Sequence, residues 1–436
     1  VIKKIHLYSI VFLFFLSACS GNYVARPSRK VYIQKENGRY TLYHNGKPFV
    51  IKGAAGYTHL DVLSACGGNT IRIWDTTGID TILKAANKNH LAVIIGLPMP
   101  NSKFISFYDD TVWVANQFNA FKKLVAKYKD DPAVLMWCAG NELDFPYRPS
   151  YRNFYKAFNR IVDMIHHDDP DHPVTTTVVN FQQKNILNIS YRTDVDVISF
   201  NIFGRLSYLR DDLSHISWLW HGPYMVTEWG IDGPWEGTKQ TAWGAYIETN
   251  STNKAYQYIK RYKEQMPVDD PRFLGSFIFY WGQKQETTHT WFSLFDDKGA
   301  KTEVVNAAQY LWTGKRLAHQ PPQIKYMLVD GKSAYDNLLY KPGEKASAEV
   351  FMLKPDTDIT TIQWQVYKED WYRKNNLNST LKTNALPGLI LSNKDSKAIF
   401  ATPDKPGPYR LFATIYDRFG NVATCNTPFY VVGGKK

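Results

Sequence analysis

Two glutamates stand where an apolar, strand-like run gives way to a loop: Glu142 in AVLMWCAGNELDF and Glu228 in PYMVTEWGIDGP. One carboxyl that gives and takes a proton and a second that attacks carbon are the pair needed to cleave a glycosidic bond with net retention. Either glutamate alone is commonplace, as a helix cap or a surface residue. The reading therefore depends on whether the chain brings both to one place.

Residues 31–315 repeat short apolar, β-branched runs and longer helical patterns, the sequence form of a parallel sheet with crossover helices. Eight strands are expected, at 49–54, 69–74, 91–97, 133–138, 173–179, 195–200, 224–227 and 273–280. Helices are expected at 111–129, 151–167 and 239–263. Eight such units predict a closed (β/α)8 barrel, since closure removes the edges of an open sheet. Chemistry in that fold is done at the C-terminal ends of the strands, and Glu142 follows the fourth strand while Glu228 ends the seventh. Both are then expected at one mouth. The segment VYIQKENGRYTLYHNGKPF, with turns at Asn37-Gly38 and Asn45-Gly46, predicts a hairpin that plugs the barrel bottom.

Beyond Pro321-Pro322 the helical period disappears. Alternating runs such as KASAEVFML, TTIQWQVYKE and PYRLFATIYD predict an all-β immunoglobulin-like sandwich over 321–436, packed on the barrel at 31–317. At the other end, Lys3 and Lys4 precede an apolar run at 5–16, too short to span a bilayer, and Cys19 follows small residues. Residues 1–19 read as a lipoprotein signal peptide and 20–30 as a flexible linker, with Cys19 as the acylated residue. This predicts a chain held by lipid in a bacterial cell envelope.

The net charge of +12 falls to +10 once Lys3 and Lys4 are removed. No dense basic run and no zinc-type cysteine spacing accompanies it, which argues against nucleic acid and leaves an acidic polysaccharide open. Cys66, Cys138 and Cys425 lie far apart and predict buried free thiols. HHDDPDH at 166–172 has a metal-like composition but falls between a helix end and a strand start, so it reads as turn chemistry. No metal or organic cofactor is expected, and the chain is read as a monomer.

The barrel resembles the clan A glycoside hydrolases, through Asn141-Glu142 after the fourth strand and Glu228 ending the seventh. GGNTIRIWD resembles that clan's second strand and FIFYWG its eighth, and DDPDHPVTT is similar to a turn of the glycoside hydrolase family 2 catalytic domain. A short lipoprotein with one barrel and one immunoglobulin-like domain resembles the bacterial endo-β-1,3-glucanases in layout, and fungal-wall glucan transferases share IKG…NTIR. The resemblance implies Glu142 as acid/base, Glu228 as nucleophile, Arg72 as its ionic partner, Asn141 on the sugar 2-hydroxyl and Trp281 as a stacking floor. Where a sixth-strand tyrosine is usual, ISFNIFGR offers Asn201, which leaves Asn201, Tyr224 or a loop residue beside Glu228. Trp229 and Trp235, and Glu286, His289 and Trp291 in the 282–300 loop, are further candidates to bind substrate. A β-linked polysaccharide, β-glucan first, is the expected substrate. Transglycosylation through the same intermediate, or glycan binding by an inactive barrel, remain alternatives.

Overall fold

The computed structural model describes residues 29–316, 319–369 and 383–433. Cys19 and the segment expected to be a signal peptide lie outside the described residues. Eight parallel strands close into a barrel: Ile51–Ala55, Thr70–Ile73, Ala92–Leu97, Val134–Ala139, Val174–Val179, Val197–Asn201, Tyr224–Trp229 and Phe273–Phe279. Each pairs with its neighbour in sequence, and the eighth returns to pair with the first. The expected strands are all present, with ends shifted by one or two residues. They are legible because a barrel strand is covered on both faces: every residue of the fourth strand, VLMWCA, is buried.

The helices form around local signals. Asp110 caps Thr111–Tyr128 by accepting from the Val112 and Trp113 N–H groups at 2.8 and 3.0 Å. One expectation needs correction, because the helix predicted at 239–263 is confined to Ser251–Glu264. Before it the chain turns at Gly244, whose φ of 85° a side chain would strain, and Thr241 Oγ1 accepts from the Ala245 N–H at 3.0 Å. Asn250 then caps the helix by accepting from the Asn253 N–H at 2.8 Å.

Strands Val31–Glu36 and Arg39–His44 form the predicted hairpin, and Lys47–Pro48 adds a short third strand. The Val31 N–H donates to the Asp171 carbonyl and the Tyr40 N–H to that of Pro271, at 3.0 and 2.7 Å. Both acceptors precede barrel strands, so the hairpin lies across the N-terminal end, opposite the glutamates. The 166–172 run lies at that end too. Asp169 accepts from Trp137 Nε1 at 2.7 Å and meets His172 Nδ1 at 2.9 Å, while His166 meets Asp196 at 2.9 Å. These bonds tie a helix end to the fourth strand, to the turn before the fifth and to the residue before the sixth.

The C-terminal strands make two four-stranded sheets around Val350, Trp364, Phe400, Leu411, Ile415 and Phe429. Their register is antiparallel apart from the short Leu339–Tyr340 pairing, as a sandwich requires. Cys66, Cys138 and Cys425 are free and buried. Among the described residues no helix is long and apolar enough to cross a membrane.

Barrel and sandwich meet through buried charge. Glu248 accepts from Lys254 Nζ at 2.5 Å, Thr288 Oγ1 at 2.6 Å, Thr290 Oγ1 at 2.8 Å and Asn426 Nδ2 at 2.7 Å. Burial opposes its charge, yet Lys254 and Arg410 beside it hold the carboxyl below its ordinary value. Arg410 in turn bonds Glu369, Asn426 and the Tyr246 carbonyl, each within 2.7 Å. Removing one partner of such a pair strands the other charge in the interior. Lys254→Met is therefore expected to destabilise the protein by roughly 3–5 kcal/mol, with partial recovery in Lys254→Met/Glu248→Leu. Urea unfolding measures both, and a single-variant loss below about 1 kcal/mol would show that the pair is solvated.

Candidate active site

The glutamates are delivered by two different local structures. After the fourth strand, Gly140 has φ 76°, and a Cβ there would sit 2.3 Å from Leu143 Cδ1. Glu142 itself has φ 55°, a left-handed conformation that costs a non-glycine residue about 1 kcal/mol or more. That turn places the Glu142 side chain at the mouth, where the Asn101 side chain donates to its carbonyl at 3.2 Å. Glu228 needs no special turn. It lies within the seventh strand, paired with Asn201 of the sixth just past a register irregularity that follows Val226, and its side chain enters the barrel mouth.

Both carboxylates line one open cavity of about 730 Å³ at the C-terminal end of the barrel. A continuous set of hydrogen bonds joins them. Arg72, almost fully buried, donates from Nη1 to Glu228 Oε1 at 2.6 Å and from Nη2 to Asn141 Oδ1. Asn201 Nδ2 donates to Glu142 Oε1 at 2.9 Å and approaches Asn141 Oδ1 at 3.4 Å. Thr227 Oγ1 donates to Asn201 Oδ1 at 2.9 Å, which fixes the orientation of that amide. Burial, and then the charge of Glu228, push the Glu142 carboxyl above the usual carboxylate range. A carboxyl that holds its proton more tightly than usual stands beside one clamped by a guanidinium, the division of labour an acid and a nucleophile require.

The question of what sits beside Glu228 is answered by a residue the sequence reading missed. Trp74 Nε1 donates to Glu228 Oε1 at 2.7 Å, and the Arg72 guanidinium lies 5.4 Å from the Trp74 ring. Asn201 serves Glu142 instead. Tyr224 is remote, packed among Trp220, Phe200 and Phe273 at the start of its strand.

Four predicted substrate contacts are not at the mouth. Trp281 is fully buried against Phe295 and Trp312, and its Nε1 donates to the His59 carbonyl at 3.3 Å. Tyr280, one residue earlier, lines the cavity and stacks on Trp74 at 5.8 Å. Trp229 is fully buried against Tyr258 and Tyr262 of the outer helix, because the neighbour of an inward Glu228 must point outward. Trp291 packs on Tyr246 and donates to the Asp232 carbonyl at 3.1 Å. His289 lies against Phe412 and Tyr367 of the sandwich, at 4.4 and 5.0 Å, and so also faces away from the cleft.

Two candidates from the loops do line the cavity. Glu286 lies 2.7 Å from Lys284 Nζ, and burial raises its carboxyl above the ordinary value. Trp235, 45% exposed, is braced on Phe203 and Phe292. Tyr57, 49% exposed, lines the cavity as well. Two exposed rings, together with Trp74 and Tyr280 in the same lining, suit the apolar faces of sugar rings.

A closed eight-stranded barrel with a hydrogen-bonded carboxylate pair at its C-terminal mouth is the architecture of a barrel glycosidase. The family model for "Glycosyl hydrolases family 2, TIM barrel domain" matches residues 59–291, more than half of the chain, and the chain belongs to that family. Solved structures share the fold. The β-glucuronidase of Lactobacillus rhamnosus is similar at 15% identity and a TM-score of 0.51, over 66% of this chain and 53% of that one. The Dictyoglomus thermophilum β-D-glucuronidase matches at 20% identity and a TM-score of 0.50, over 65% and 54%. The Bifidobacterium dentium β-glucuronidase, complexed with coumarin-3-O-glucuronide, matches at 16% identity and a TM-score of 0.50, over 65% and 49%. The chain thus spans about half the length of these structures. No curated protein sequence matches it.

Proposed function

We propose that this protein hydrolyses β-glycosidic bonds with net retention, acting on a β-linked polysaccharide, with β-glucan as the first substrate to test. The observation that carries the reading is the bonded path from Glu142 through Asn201, Asn141 and Arg72 to Glu228. Glu228 attacks the anomeric carbon while Glu142 gives its proton to the departing glycosidic oxygen. The C–O bond breaks and a glycosyl ester of Glu228 forms. Glu142, now ionised, takes a proton from water as that water attacks the same carbon, and the ester is released. Asn141 uses its oxygen on Arg72 and Asn201, which leaves its N–H groups for a sugar hydroxyl.

The polymer preference rests on the aromatic lining, since several rings along an open cleft suit an oligosaccharide better than a single sugar. Purified protein should be offered β-glucans, mannans, galactans and charged polysaccharides, with products separated by chromatography. Oligosaccharides released from β-glucan are the expected result. Turnover of another polymer and not of β-glucan would reject that substrate, and no turnover at all would reject the hydrolase reading.

We also propose that acylated Cys19 tethers the chain to a membrane of the bacterial envelope. The support is the Lys3-Lys4 start, the apolar run at 5–16 and the small residues before the cysteine. Several acyl chains hold firmly, since each buried methylene adds roughly 0.8 kcal/mol. Cys19→Ser is expected to abolish incorporation of an alkyne fatty acid, and wild-type protein that takes up no label in its host would contradict the anchor.

A further inference from the structure

The cleft is lined by four carboxyl groups, those of Asp75, Glu142, Glu228 and Glu286, and by one cation among the described residues, Lys284. Neither nearby positive charge is available to a ligand. The Arg72 guanidinium is buried and committed to Glu228, Asn141 and Thr177. Lys284 Nζ lies 2.7 Å from Glu286 Oε2 and 4.8 Å from the Phe279 ring, with its side chain only 27% exposed. An anionic sugar entering here would meet like charge and no free counter-charge, whereas hydroxyl-bearing rings find amides and aromatic faces. This holds although the chain as a whole is strongly cationic, because a substrate at the cleavage point meets the local charges first.

We propose that Glu286 is a specificity-determining residue: by neutralising Lys284 it keeps the cleft without a usable cation, so that the enzyme accepts neutral glycans and rejects uronic acids. The proposal rests on the hydrolase reading above. It sets this chain apart in substrate charge from the glucuronide named with one structure that shares its fold.

The test compares substrates matched in linkage and differing at C6. Neutral β-1,3- and β-1,4-gluco-oligosaccharides are each set against their C6-oxidised, glucuronic acid counterparts, and kcat/KM is measured by reducing-end release. The neutral member is expected to be favoured by about 100-fold or more. Glu286→Gln frees Lys284 and removes one carboxylate, so the ratio of oxidised to neutral turnover should rise by about tenfold, whatever happens to the absolute rate. In the wild type the discrimination should shrink as salt is raised, since charge repulsion is screened. Oxidised substrates cleaved as well as neutral ones would overturn the proposal and leave the hydrolase reading standing. A ratio unmoved by both Glu286→Gln and salt would overturn the role of Glu286. No cleavage of either member in any pair would reject β-glucan as the substrate and overturn this proposal with it.

Discussion

Glu228→Ala is expected to lower kcat by on the order of 10⁶-fold, the loss that follows when a covalent nucleophile is removed from a site whose parts act together. The variant should fold. Its missing volume opens on the cavity, and Arg72 keeps Asn141 and Thr177 as acceptors while water reaches the vacated position. Azide is small enough to occupy that space. With an aryl β-glycoside whose leaving group needs no proton, azide should restore part of the activity and yield a glycosyl azide of inverted configuration. Residual activity within about tenfold of wild type, or an azide product of retained configuration, would remove Glu228 from the covalent role.

Glu142→Gln separates the proton from the rest of the site. Loss of general acid catalysis should cost about 10²–10⁴-fold on substrates with poor leaving groups and far less on aryl glycosides with good ones. Gln can keep a hydrogen bond to Asn201 in the same space, so the difference reports chemistry and not folding. The pH profile gives a second readout with a definite sign. Because burial and the neighbouring Glu228 raise the Glu142 carboxyl, its protonated form survives to higher pH than an ordinary carboxyl, and activity falls as pH rises through that raised value. In Glu142→Gln this alkaline limb should vanish. Equal losses on both substrate types would contradict the assignment.

How much of this was legible depended on whether a signal was local. The barrel strands were, because a run buried on both faces leaves an uninterrupted apolar word such as VLMWCA. The glutamate pair was legible through its place at strand ends. The aromatic residues went wrong for a reason the sequence contained: side chains alternate along a strand, so an inward Glu228 makes Trp229 outward, and an inward Arg72 makes Trp74 inward. Applying that rule to IRIWD would have found Trp74, the residue that bonds Glu228. It would not have found Tyr280, because the consecutive Phe279 and Tyr280 both line the cavity, against strict alternation. The false helix at 239–250 and the barrel–sandwich network were hidden for another reason. Glu248 meets Asn426, and Arg410 meets Tyr246, across more than 160 residues of chain, and a buried carboxylate that bolts two domains together looks in sequence like any polar residue on a helix.

The central claim is that Glu228 forms a glycosyl ester which water opens with help from Glu142, so each turnover inverts the anomeric carbon twice. Proton NMR of an early reaction mixture, before mutarotation mixes the anomers, reads this directly. A β-linked substrate should first release the β-anomer, with the α-anomer growing in later. The α-anomer appearing first would mean single displacement by water, and neither a covalent role for Glu228 nor the two-step mechanism would survive it.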